Sequence, residues 1–331
     1  MKPLALLFSL SLLIPVSALA ATPSYNGTLD EFTYPWPVKH YAFQSQGQSL
    51  QMAYMDVQPA QPNGQSIMLL HGKNFCGATW EATVRTLSAA GYRVIVPDQI
   101  GFCKSSKPRQ YQFSLHQLAQ NTDGLVKQLG IKQLTVMGHS MGGMLATRFA
   151  LMYPQQTARL VLVNPLGLED WRALGVPWQN VDAAYQQELK TDFNSIKKYQ
   201  QSTYYAGTWQ PHYDRWVNML AGMYNGPDKQ KVAWDQALTT DMIYTQPVVY
   251  ELPQLKMPTL LMIGDKDNTA INKALASAEV KANIGHYQAL GKRTAQAIPQ
   301  ATLINFPELG HSPQIQDPTH FHAALMEWLK K

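Results

Sequence analysis

Leu134-Thr135-Val136-Met137-Gly138-His139-Ser140-Met141-Gly142 decides the fold of this chain. The first four residues form an apolar run of the kind that makes a buried strand. Met141 to Tyr153 then reads as a helix. The chain therefore passes from strand to helix through one corner, and Ser140 stands at it. Small residues two before and two after such a corner, Gly138 and Gly142 here, let the backbones approach closely. The corner residue is then held in a strained conformation with its side chain directed outward. A serine hydroxyl is a poor nucleophile by itself. At such a corner it can meet a histidine base on one side and backbone N–H donors on the other.

Two more segments place chemistry just past the end of a strand. Pro258-Thr259-Leu260-Leu261-Met262-Ile263 reads as a buried strand and is followed by Gly264-Asp265-Lys266-Asp267. Ala301-Thr302-Leu303-Ile304-Asn305-Phe306 reads as another, followed by Leu309-Gly310-His311-Ser312-Pro313. The order Ser, Asp, His, each at a strand end, resembles the α/β-hydrolase family. The resemblance covers nearly all of the chain after the first few dozen residues. It implies Ser140 as nucleophile and His311 as base. The family's Gly-x-x-Asp turn maps the acid to Asp267, with Asp265 as the competing choice. Of the nine histidines, His320 and His322 fall on the last helix and read as solvated.

Acyl transfer builds negative charge on a carbonyl oxygen, which preorganised N–H donors stabilise. One donor is expected at Met141, the residue after the nucleophile. The strand Ser66 to Leu70 leads into His71-Gly72-Lys73-Asn74-Phe75-Cys76-Gly77. In relatives with this His-Gly-x start, the residue after the glycine supplies the second donor, which maps to Lys73. His71 is expected to brace that loop. The Lys73 side chain is read as solvated, with contact to an anionic substrate as the alternative.

Composition bounds the rest. The chain has 331 residues, 45% apolar and 15% charged, which suits one packed domain with an elaboration. The formal charge of +5 is thinly spread, so neither nucleic acid nor a membrane surface is an expected partner. No cofactor or metal ligand set is expected. Residues 1–20 read as a signal peptide: Lys2, an apolar core from Leu4 to Val16, then Ala18-Leu19-Ala20 as a cleavage pattern. Cleavage would leave a mature protein in the periplasm or beyond, with no membrane insertion. It would lower the formal charge from +5 to +4 by removing Lys2.

The chain's two cysteines are Cys76, in the oxyanion loop, and Cys103, in Asp98-Gln99-Ile100-Gly101-Phe102-Cys103-Lys104-Ser105. Relatives commonly carry glycine where Cys103 stands. In this fold the strands leading to the two loops are neighbours, so in an oxidising compartment a Cys76–Cys103 disulfide is expected. Two buried thiols are the alternative.

Before residue 36 the chain reads as an exposed arm. Val38 to Gln44 and Leu50 to Val57 read as a hairpin. From Ser66 strands alternate with helices, Trp80 to Ala90 and Ser114 to Leu129 among them, which implies a mostly parallel sheet covered on both faces. The core is thus expected over 21–168 and 258–331. The interval 169–257, rich in Trp and Tyr, lies where α/β-hydrolases carry a helical cap. A second insertion is read from Ile271 to Thr294.

The leading functional reading is an exported serine hydrolase acting on an ester or similar acyl bond of a small molecule. Hydrolysis of carbon–carbon bonds in ring-cleavage products is an alternative. So is an aminopeptidase-like activity, for which Glu169, Asp170, Glu188 and Asp192 offer carboxylates. A non-catalytic binding protein is the reading from another class.

Overall fold

The computed structural model describes residues 22–331, so the expected signal peptide lies outside the described residues. The strands are β1 (Val38–Ser45), β2 (Gln48–Val57), β3 (Ser66–Leu70), β4 (Arg93–Pro97), β5 (Leu134–His139), β6 (Thr157–Val163), β7 (Thr259–Gly264) and β8 (Ala301–Phe306). They make one sheet in the order β1-β2-β4-β3-β5-β6-β7-β8. The β1/β2 and β2/β4 pairs are antiparallel and the others parallel. This is the mostly parallel sheet expected from the strand–helix alternation, in the α/β-hydrolase architecture that the resemblance implies.

Period-two alternation explains the two-sided cover. In β3, Ile67 and Leu69 enter one apolar cluster while Met68 and Leu70 enter the other. In β7, Leu260 and Met262 face the first side, and Leu261 and Ile263 face the second. Helices α1 (Glu81–Ala89) and α10 (Pro318–Leu329) cover one face with Val84, Leu87, Phe321 and Leu325. Helices α2 (Leu115–Gln128) and α3 (Met141–Met152) cover the other with Leu118, Leu125, Met144 and Phe149. Each such side chain contributes about 1.5–3 kcal/mol by leaving water. Ser114 caps α2 by accepting from the Gln117 N–H at 3.0 Å, as its residue type leads one to expect.

Between β6 and β7 the chain forms α4 (Val181–Glu188), α5 (Phe193–Tyr199), a π-helical turn (Gln200–Tyr204), α6 (Asp214–Tyr224) and α7 (Lys229–Thr245). Many of its aromatics pack on one another, as in the Tyr205–Tyr213 stack with centroids 3.8 Å apart.

Three expectations need correction. The N-terminal arm is not simply exposed: Leu29 and Phe32 are buried, and the Tyr25 N–H donates to Gly222 O at 2.9 Å. Alanine-sized side chains at Gly222 and Gly226 would collide with Tyr25, so these glycines make its seat. The arm has no periodic pattern, which is why its burial left no signal in the sequence. His322 is buried rather than solvated. It pairs with Thr83 Oγ1 at 2.9 Å, and burial pushes its pKa down to about 4. The stretch from Ile271 to Thr294 is only partly an insertion. From Tyr287 it is α9 (Tyr287–Ala297), the crossover helix that parallel β7 and β8 require, preceded by the short α8 (Ala278–Asn283).

Candidate active site

Ser140 occupies the corner between β5 and α3 with φ +58° and ψ −122°. Such a conformation is costly for a residue with a Cβ and persists only where the surroundings impose it. Here they do. A Cβ on Gly138 would lie 2.0 Å from Gly142 O, and one on Gly142 would lie 2.2 Å from Leu70 O. Only glycine lets the corner close. At Gly72 a Cβ would come within 3.0 Å of the Ser140 Cβ, so glycine also lets the loop after β3 approach the serine.

His311 is fully buried and stands after β8. Its Nδ1 lies 2.6 Å from Asp267 Oδ2. The Asp267 carboxylate also accepts from Asn164 Nδ2 at 2.9 Å, the Thr269 N–H at 2.9 Å and Thr269 Oγ1 at 2.6 Å. These donors fix it in one orientation. Asp265 turns elsewhere, accepting from Asn305 Nδ2 at 2.5 Å and Gln288 Nε2 at 3.3 Å. The structure thus brings Asp267, and not Asp265, to His311. His311 Nε2 has no protein partner among the described residues and is the ring atom left free.

Two positioning residues went unread in the sequence. Asn164, just past β6 at φ +36°, donates to Asp267 and accepts from the Gly264 N–H at 2.8 Å. An asparagine after a strand, where left-handed backbone is tolerated, was its only signal. His139 precedes the serine, and its Nε2 donates to His311 O at 2.8 Å. Burial holds His139 well below the usual imidazole range, so it is a neutral strut with its proton on Nε2. From above, Thr203 O accepts the His311 N–H at 3.2 Å and Tyr204 O accepts the Ser312 N–H at 3.1 Å. The Tyr204 ring stands 4.9 Å from the His311 ring.

The peptide N–H groups of Lys73 and Met141 find no acceptor among the described residues. His71 braces the loop as expected: its Nδ1 donates to Gly72 O at 2.9 Å and its Nε2 accepts from the Gln99 N–H at 3.0 Å. The Lys73 side chain, read as solvated, is instead 11% exposed and paired with Glu188 Oε1 at 2.8 Å. Tyr224 Oη donates to Glu188 Oε2 at 2.5 Å. Cys76 and Cys103 are joined in a disulfide with Cα atoms 5.8 Å apart. Cys103 has φ +48°, a left-handed backbone that glycine adopts without strain and cysteine does not.

A cavity of about 480 Å³ opens beside these loops, bounded by Lys73, Asn74, Glu188, Gln200, Thr203 and Thr269 among others. Of the four carboxylates considered for an amine, only Glu188 borders it. Glu169 holds Trp171 Nε1 and the Gly285 N–H, Asp170 holds Arg172, and Asp192 caps α5.

A family model described as the alpha/beta hydrolase fold matches residues 65–318. The chain is similar to a "probable hydrolytic enzyme" from Pseudomonas aeruginosa, with 60% identity and a TM-score of 0.93, covering 94% of this chain and 99% of that one. It is 26% identical over 275 residues to Lipase 3 of a Moraxella species, 81% of this chain and 79% of that protein. It is 30% identical over 138 residues to a 2-hydroxy-6-oxononadienedioate/2-hydroxy-6-oxononatrienedioate hydrolase of Comamonas testosteroni, 41% of this chain. There it spans about half of the relative, 48% of its length. Sequence, sheet order and these likenesses agree that the chain belongs to the alpha/beta hydrolase fold family.

Proposed function

We propose that this chain is a serine hydrolase that cleaves an ester or similar acyl bond in a small molecule. The observation that carries the reading is the buried 2.6 Å His311–Asp267 hydrogen bond, tied to the strained Ser140 by its neighbour His139, whose Nε2 donates to His311 O. Ser140 Oγ attacks the carbonyl carbon and passes its proton to His311 Nε2. The carbonyl oxygen, now anionic, faces the N–H groups of Lys73 and Met141. When the intermediate collapses, the leaving group departs with the proton from His311 Nε2. Water then repeats the sequence on the acyl-enzyme. Asp267 holds the Nδ1–H tautomer and stabilises the imidazolium. The interval 169–257 acts as the cap over this site, and residues 21–168 and 258–331 as the core. The leader sequence and the disulfide support a periplasmic or secreted protein.

The Comamonas relative favours a second reading, hydrolysis of a carbon–carbon bond in a ring-cleavage product, with the same triad. An aminopeptidase-like reading loses ground, because the carboxylate bordering the cavity is already neutralised by Lys73.

The test is labelling by a fluorophosphonate together with turnover of p-nitrophenyl esters and a ring-cleavage dienoate. Wild type should be labelled at Ser140, and Ser140→Ala should fold, escape labelling and lose turnover by about 10⁶-fold. Turnover by Ser140→Ala at the wild-type rate would overturn the mechanism.

A further inference from the structure

Gln200 opens the π-helical turn that carries Thr203 and Tyr204 onto the His311 loop. It borders the cavity, is fully buried, and neither its Nε2 nor its Oε1 has a protein partner among the described residues. A buried primary amide with both ends unmet is expensive, because it has given up its bonds to water. Single π turns inside helical segments cluster at functional sites. Here the turn sets an unmet donor and an unmet acceptor side by side on a residue of the cavity wall, both closed to solvent.

The charges on that wall are already satisfied. Lys73 and Glu188 neutralise each other, and Glu188 also takes the Tyr224 hydroxyl. Lys273 spends its ammonium on the carbonyls of Asn268 at 3.3 Å and Ile284 at 3.2 Å. An ionic substrate group would have to break these contacts. A neutral group with adjacent donor and acceptor would break none of them and, with the Gln200 amide turned toward the cavity, would complete Gln200.

Resting on the hydrolase reading above, we propose that the cavity takes a neutral, amide-like part of the substrate, and that the Gln200 side chain selects it by a paired hydrogen bond. Binding sites that hydrogen-bond a substrate reject the analogue lacking the group, since their own polar atoms are then left unpaired.

The test uses two isosteric pairs, one for each side of the scissile bond. On the acyl side, p-nitrophenyl succinamate is compared with p-nitrophenyl 4-methylpentanoate. On the alcohol side, 3-carbamoylpropyl butyrate is compared with 4-methylpentyl butyrate. Each kcat/KM is divided by the rate of hydroxide hydrolysis of the same ester. Wild type should favour the carboxamide by about tenfold or more in at least one pair. Gln200→Met should erase that preference, and its Tm should equal or exceed that of wild type because an unmet buried amide is gone. Gln200→Leu serves if the methionine variant fails to fold. Wild type without preference in either pair overturns the proposal whatever the variants do, and so does a folded variant that keeps the preference. If no ester is cleaved and the fluorophosphonate leaves Ser140 unlabelled, the hydrolase reading itself falls.

Discussion

The two halves of the candidate site are held by different parts of the molecule. Asp267 and His311 are fixed mainly from within the sheet layer: Asn164 after β6, Thr269 in the loop after β7, and His139 at the end of β5. The Lys73 loop leans on partners outside it. The disulfide at Cys76 ties it to the loop after β4, Glu188 of α4 holds the Lys73 ammonium, and Asn74 Nδ2 donates to Tyr204 Oη at 3.0 Å. The acid–base half is therefore as rigid as the core. The oxyanion half is as rigid as three separate ties make it, two of them reaching the helical interval. Damage to the first half should remove chemistry outright, whereas damage to the second should grade it.

The largest effect tests the core-held half. Asp267→Asn should lower turnover by about 10⁴-fold, because the amide favours the wrong tautomer of His311. Asp265→Asn should cost far less, since that carboxylate serves Asn305 and Gln288. Steady-state rates on one ester for both variants decide the matter. A reversed ranking would mean that the acid is not the one bonded to His311.

The same contrast explains what could be read in the sequence. Ser140 follows β5 at once, and Asp267 and His311 stand in the turns just after β7 and β8, so strand recognition brought all three into view. The choice between Asp267 and Asp265 needed the family's turn spacing, and only the hydrogen bonds at the end of β7 distinguish them in physical terms. Asn164 and His139 were missed because their work is done across 103 and 172 residues of chain, which no local pattern reports. Glu188 was noticed as one of four carboxylates but could not be placed. Its partner Lys73 is 115 residues away, and the helices between strands carry no register that links them. The hairpin, the Ser114 cap of α2 and the sheet alternation were legible because they are local. The burial of the N-terminal arm was not, because it depends on two glycines in α6 and just after it.

The second-largest effect concerns the disulfide. Replacing both cysteines by serine should cost about 3 kcal/mol, given the 27-residue separation that the bridge closes. It should also slow turnover, since Lys73 lies close to Cys76 in the same loop. Cys76→Ser with Cys103→Gly should recover about 1 kcal/mol of that loss, because position 103 has φ +48°. Thermal melts of the two double variants, with and without reductant, give the comparison. Equal stabilities would show that the backbone at 103 relaxes once the bridge is gone.

Next comes the seat of the arm on the helical interval. In Gly222→Ala the new Cβ would lie 2.2 Å from Tyr25 Cδ2, so the arm must shift. The expected cost is about 1–3 kcal/mol of stability, as for an overpacked core. Tyr25→Ala should make the glycine substitution nearly neutral when the two are combined, because the collision disappears. Additive losses in denaturant melts would place the effect in α6 itself.

The smallest effect is the most diagnostic for the second half. Glu188→Gln keeps the side-chain shape and an acceptor for Tyr224 but removes the charge that holds Lys73. If the ion pair positions the Lys73 N–H, the loss belongs to the transition state, where charge develops on the carbonyl oxygen, and not to substrate binding. The variant should then lose about tenfold in kcat with little change in KM. Lys73→Met keeps the peptide N–H and removes the other end of the tie, so it should cost a similar amount. Combining the two should cost hardly more than either alone, since both break one contact. A rise in KM at constant kcat would make Glu188 a substrate contact instead. Full additivity would mean that the two residues act separately, and the oxyanion half would then owe its rigidity to the disulfide and Asn74.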